Sequence, residues 1–250
     1  MYVMSVIKRK AIEPLKAHGF IYSGKGDSAS WVFSRIKNDV TQSMIFQKSN
    51  LSRKLKIILS TSVNNGRLIE GDMFDEESNK YWWEYNNEHE LEEVISKLVD
   101  ILIQYGIPFL DLMSIPDIKP PVEMAKELMI DTRKKADLFC EKYDLGYSDV
   151  NNSLDKLQKI LREHKNLSFE EMWETLINAA AYIGELIKEF HNGDWVWKDE
   201  YNILLLENIG GTRYKISCLS WAIDYWNNPD MKIFGLVWRY KELVDTLKLL

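Results

Sequence analysis

Apolar residues recur three and four positions apart along residues 5–18, at Val6, Ile7, Ala11, Ile12 and Leu15, the spacing that lines one face of a helix. His18-Gly19 then closes the segment with a glycine where a helix cap favours one. The period next falls to two. Gly24 and Gly26 are expected in a flexible turn, followed by strands over residues 31–36, 40–48 and 54–63, with Lys37-Asn38-Asp39 turning between the first pair. In the third strand Leu55, Ile57, Leu59, Thr61 and Val63 alternate with Lys54, Lys56, Ile58, Ser60 and Ser62, so one face meets a core and the other is mostly wet. A helix is expected from Asn87, which can cap it with Glu90 three positions on. Its stripe is Leu91, Val94, Ile95, Leu98, Val99, Ile101, Leu102 and Tyr105, and Gly106 and Pro108 are expected to stop it.

Pro116, Pro120 and Pro121 punctuate the next stretch, which places a domain boundary within residues 112–120. A helix opening at Pro121 is expected to run to about residue 143, and another over 150–164. Ser168-Phe169-Glu170-Glu171 reads as a capping box, with Leu167 and Met172 placed for a hydrophobic staple. The helix it opens should end at His191-Asn192-Gly193. Strands are expected over 195–198 and 202–207, then Gly210-Gly211 turning into a strand over 213–218, and a last helix after Pro229. The fold class is therefore α+β: an antiparallel sheet flanked by helices in residues 1–115, then a helix-rich α+β domain with a small antiparallel sheet in 116–250.

Composition narrows the class further. The chain has 250 residues, is 46% hydrophobic and 28% charged, and so has the apolar content of a folded globular protein. Its two cysteines, Cys140 and Cys218, are too few for a disulfide framework and match no metal-binding spacing. The basic Lys8-Arg9-Lys10 cluster follows the first apolar residues, the wrong order for a secretory signal, and the longest apolar runs fall far short of the roughly 20 residues that cross a bilayer. A cytoplasmic protein with no membrane partner is expected. Charge is unevenly placed: residues 1–66 carry 11 Lys/Arg against 3 Asp/Glu, whereas 67–118 carry 3 against 13. Such an asymmetry means either a nucleic-acid face or two segments that lie against each other in one fold.

The order of motifs in the first 110 or so residues supports a resemblance. A leading helix ending in His18-Gly19-Phe20, Trp31 in a strand, and Phe46-Gln47-Lys48-Ser49 closing the next strand resemble the bacterial domain of unknown function 4304 family. Ala181-Tyr182-Ile183-Gly184-Glu185 leading to Gly193-Asp194-Trp195-Val196-Trp197 is similar to a second uncharacterised bacterial family. Neither resemblance transfers a catalytic residue. Small α+β proteins of this kind often resemble the immunity proteins that accompany bacterial toxins, which implies a protein partner.

No phosphate-cradling glycine loop and no nucleophile elbow occurs, and neither a cofactor nor a metal is expected. The histidines are His18, His89, His164 and His191, three of them at or near expected helix ends. The densest chemical cluster is Glu185, Glu189, His191 and Asp194, which an enzyme of unrecognised type could use around Glu185, His191 and Asp194. Lys8, Arg9, Lys10, Lys48, Arg53, Lys54 and Lys56, with Trp31 nearby, could instead line a nucleic-acid face. Aromatics are the most distinctive feature, with 9 Trp and 12 Tyr. In an extended chain Trp82 and Trp83 point to opposite faces, so both cannot enter one core. The leading expectation is a non-enzymatic protein-binding module, an immunity-type inhibitor whose acidic and aromatic surface at Asp72, Asp75, Glu76, Glu77, Trp82 and Trp83 meets a basic toxin.

Overall fold

The computed structural model describes residues 2–27, 29–63, 68–70 and 82–249. They form an α+β chain in two compact units, Met1–Pro116 and Asp117–Leu250.

The first unit opens with α1 (Tyr2–Lys16), which buries Val6, Ile7, Ala11 and Leu15 at the expected spacing. An antiparallel meander follows: β1 (Ile21–Lys25), β2 (Ser30–Lys37), β3 (Val40–Lys48), β4 (Lys54–Thr61) and β5 (Leu68–Glu70), adjacent in that order, with β6 (Trp83–Glu84) on β4 as well. Strand β1 corrects the flexible turn expected at Gly24. The register with β2 shifts between Tyr22 and Gly24, and Gly24 has φ 116°, so this glycine accommodates a bulge inside a strand. Along β2, β3 and β4 the cross-strand rows Trp31–Phe46–Ile57 and Phe33–Met44–Leu59 form the core face. The opposite face carries Val32, Ile45 and Ile58 in one row and Gln47 and Lys56 in another; Ile58 and Lys56 are buried, which corrects the mostly wet face expected for β4.

Asn87 caps α2 (Glu88–Ile101) as expected, its side chain accepting from the Glu90 amide at 3.0 Å. Gly106 and Pro108 do not end the helical path. A π-helical turn, Leu102–Gly106, leads straight into α3 (Ile107–Met113). Pro108 is near the start of α3, directly after the π turn, so the helical path runs through a residue that donates no backbone bond. Gly106 keeps ordinary helical angles, and a Cβ there would lie 3.1 Å from Leu102 and 3.7 Å from Leu59, so its small size serves close packing on β4.

Charge fastens the same unit. Arg9 pairs with Glu92 and, at 3.6 Å, with Glu88, and Lys10 reaches Glu92 at 3.3 Å. Arg35 and Lys37 both meet Asp111, at 3.1 and 2.8 Å, and Lys54 meets Glu84 at 2.5 Å. The basic and acidic segments of the sequence thus lie against each other in one fold.

In the second unit, the single helix expected to end near residue 143 is two, α4 (Val122–Met129) and α5 (Thr132–Tyr143). Asp131 separates them in the left-handed conformation (φ 55°) and caps α5 by accepting from the Lys134 amide. Helix α6 (Val150–Glu163) is strongly amphipathic, burying Val150, Leu154, Leu157 and Leu161. Ser168 and Glu171 form the expected capping box of α7 (Phe169–His191), the spine of this unit, which is buried continuously from Ala179 to Ile187.

The hairpin β7 (Asp194–Lys198) and β8 (Ile203–Glu207) follows it. The strand expected over 213–218 is reduced to one bridge, Leu206 with Ile216, and α8 (Cys218–Asn227) begins there. Buried residues on every side of α8 hide its helical period: Cys218, Leu219, Ala222, Ile223, Tyr225 and Trp226. After Pro229 the chain makes a single 3-10 turn before α9 (Leu236–Leu249).

At Gly184 the indole of Trp195 lies against the backbone of α7, where a Cβ would overlap the ring. Gly184→Ala is therefore expected to cost about 1–3 kcal/mol by overpacking, measured by chemical denaturation. Gly146→Ala, with nothing within 4 Å of the added methyl, is expected to stay within about 1 kcal/mol of the parent chain.

Candidate functional site

Two tryptophans at the end of the first unit's sheet separate as their alternation requires. Trp83 pairs with Leu55 on β4 and is 8% exposed on the core face, with the Lys97 ammonium 5.1 Å from its ring. Its place in the expected partner-binding surface is corrected by that burial. Trp82 is half-buried on the other face, its ring 5.0 Å from Nζ of Lys56. Lys56 is only 7% exposed, so the indole face lies against an ammonium largely withdrawn from water. Asp72, Asp75, Glu76 and Glu77 lie outside the described residues.

The cluster read from the carboxyl half does not converge. Glu185 is 4% exposed, and its Oε1 accepts from Trp195 Nε1 at 2.8 Å, the Thr132 hydroxyl at 3.0 Å and Lys188 Nζ at 3.3 Å. His191 sits at the last turn of α7, its Nε2 2.8 Å from the Tyr240 hydroxyl. Burial pushes the His191 imidazole below its ordinary value and the Tyr240 phenol above its own, so both are held neutral. Asp194 accepts from Asn208 at 2.9 Å, while Glu189 is exposed. Residues close in sequence therefore have separate partners around the helix end. No group of three or more His, Cys, Asp or Glu among the described residues is arranged to hold a metal ion.

The thiols are not placed as nucleophiles. Burial raises both, and the nearby Glu185 charge raises Cys218 further. Of the other histidines, His164 Nδ1 lies 2.7 Å from the Ile160 carbonyl, and the exposed His89 faces Glu93 at 3.2 Å on its own helix.

The basic residues of the first unit are largely occupied. Besides the ion pairs already described, Lys8 lies over Tyr22 at 5.2 Å and Arg53 donates to the Asn86 carbonyl at 2.5 Å. Trp31, expected beside a basic surface, is 5% exposed on the core face and cannot offer its ring to a base.

One polar assembly carried no signal in the sequence. Arg35 donates to Gln42 Oε1 (2.7 Å), the His18 carbonyl (2.9 Å) and Asp111 (3.1 Å), with its guanidinium 4.5 Å from the Phe20 ring. The fully buried Gln42 donates in turn to Asp111 at 3.0 Å and to Ser114 at 2.8 Å. Burial raises the Asp111 carboxyl, but hydrogen bonds from Lys37 and Gln42 and the charges of Lys37 and Arg35 outweigh it and hold the group below its ordinary value. The assembly borders a cleft of about 210 Å³ beside the β2–β3 turn. Its polar atoms are spent on one another, which suits a clamp between sheet and α3 better than a reactive site.

No protein-family model, curated protein or solved structure matches the chain. No helix among the described residues is long and apolar enough to cross a membrane.

The lowered pKa of His191 sets a direction for stability. The unfolded imidazole binds a proton near its ordinary value of about 6.5, above the folded value. The unfolded chain therefore takes up protons first as pH falls, and stability present above that value is lost on acidification toward the folded pKa. Between about pH 7.5 and 5.5 the parent chain is expected to lose more stability in denaturant titrations than His191→Gln. Equal slopes would show that His191 titrates as it does in the unfolded chain.

Proposed function

We propose that the chain is a non-enzymatic protein-binding module acting as an immunity-type inhibitor, with a basic bacterial toxin as its partner. The observation that carries this reading is the separation of the two tryptophans: Trp83 is committed to the core, whereas Trp82 is half-buried with Lys56 over its ring. A half-buried tryptophan backed by its own fold is a low-entropy anchor for a partner. Its sequence neighbours Asp72, Asp75, Glu76 and Glu77 belong to the acidic segment, whose charge would speed encounter with a basic protein.

Two other readings have less support. An enzyme built on Glu185, His191 and Asp194 would need these groups to face one substrate, and each is engaged elsewhere. A nucleic-acid face on the first 66 residues would use cations that already meet carboxylates of the same unit.

The test is capture of partners by the tagged full chain with a high-salt wash, followed by titration of the recovered partner. A single stoichiometric protein that survives the wash and binds Trp82→Ala about 30-fold more weakly or worse is the expected result. Recovery of nucleic acid alone, or a partner indifferent to Trp82→Ala, would overturn the assignment.

A further inference from the structure

The second unit has a cleft of about 510 Å³ where the chain before α8, α8 itself and α9 meet. Its aromatic walls are Tyr214, Trp221 and Trp238. Elsewhere in this unit the indole N–H groups have protein acceptors: Trp173 donates to Glu127 (2.9 Å), Trp195 to Glu185 (2.8 Å), Trp197 to Asp199 (2.9 Å) and Trp226 to the His164 carbonyl (3.0 Å). The indoles of Trp221 and Trp238 and the Tyr214 hydroxyl have no such partner among the described residues, and all three belong to this cleft.

The floor is rigid. Arg239 donates through Nε to the Ile233 carbonyl at 3.1 Å and through Nη2 to Asp224 at 2.8 Å, with its guanidinium 5.9 Å from the Trp221 ring and 5.1 Å from the Phe234 ring. Its Nη1 is buried without a hydrogen-bond partner. Lys215 and Glu242 are exposed and make no ion pair among the described residues.

We infer that this cleft binds a neutral, hydroxyl-rich ring compound, a mono- or disaccharide. Two cations and two carboxylates line it, with Arg239 bonded to Asp224, so the lining has no net charge to favour a phosphate or a carboxylate ligand. Open donors on the indoles and Lys215, together with acceptors on Glu242 and Tyr214, suit groups that donate and accept at once, as sugar hydroxyls do. Trp221 and Trp238, both half-buried in the lining, supply the apolar surface that the C–H side of a sugar ring would meet. A proline-rich peptide would also pack on aromatic walls, but proline residues bring no N–H donor for Glu242. The volume lies within the range of small-ligand sites, and the inference is independent of the protein-binding reading, which rests on the first unit.

The full chain would be titrated with maltose, cellobiose and N,N′-diacetylchitobiose, followed by tryptophan fluorescence and calorimetry, with inorganic phosphate and a proline-rich peptide as comparisons. At least one sugar is expected to saturate with a Kd of about 0.1–10 mM. Trp238→Ala should weaken that binding about tenfold or more. Glu242→Ala, at an exposed side chain that folding does not need, should weaken it as well, and Trp197→Phe outside the cleft should leave it unchanged. Failure of every sugar to saturate up to about 50 mM, saturation by phosphate or the peptide alone, or sugar binding that survives both Trp238→Ala and Glu242→Ala would overturn the inference.

Discussion

The second unit depends on one contact: the Trp195 indole laid across α7 at Gly184 with its N–H on the Glu185 carboxylate. A Cβ at this position would overlap the indole and keep the hairpin off the helix. The indole then covers a carboxylate which, left alone in that setting, would carry a large desolvation penalty. Thr132 at the start of α5 and Lys188 one turn along α7 complete the acceptor's set. Three elements are thereby fixed on one oxygen atom, and the buried run from Ala179 to Ile187 forms the spine on which α5 and α8 pack.

A related logic holds in the first unit, where charge rather than a single buried acceptor does the fastening. The amino-terminal segment is basic and the one after it acidic because the two are partners in the fold: α1 meets α2 through Arg9, Lys10 and Glu92, and the β2–β3 end of the sheet meets α3 through Arg35, Lys37 and Asp111. The exposed pairs contribute little each. The Arg35–Gln42–Asp111 assembly is different in kind, since Gln42 is fully buried and loss of any member would strand the polar atoms of the others. A charge pattern that by itself suits nucleic acid is thus accounted for to a large extent by internal pairing.

What could be read from the sequence, and what could not, follows from the range of the interactions involved. Asn87 and Ser168 start helices through bonds three residues long, and the two-residue period of β3 sets its faces locally, whereas β4 buries Lys56 and Ile58 on the face its alternation left to water. Strand β1 was hidden because its glycine sits in a bulge that only pairing with β2 defines. The path through Gly106 and Pro108 continues because a π turn places each where helix tolerates it, a tertiary outcome with no local mark. The same holds at the sites. Trp82 and Trp83 were legible as a divided pair, and the side each took is set by the register on β4. Glu185, His191 and Asp194 looked like a cluster because they are near in sequence, but the end of α7 turns them to different partners. Arg35 and Asp111 are 76 positions apart and gave no sign of meeting.

Among the described residues, Glu185, His191, Asp194 and the Arg35–Gln42–Asp111 assembly are thus engaged by the fold itself. The most direct test of that account is the Trp195 indole N–H, followed by hydrogen exchange in the parent chain and by denaturation of Glu185→Ala. The account predicts an indole proton protected like the amides of the core and a loss of about 2–4 kcal/mol in the variant as buried donors lose their acceptor. Rapid exchange of that proton, or an unchanged stability in Glu185→Ala, would contradict it and return Glu185 to the list of groups free for chemistry.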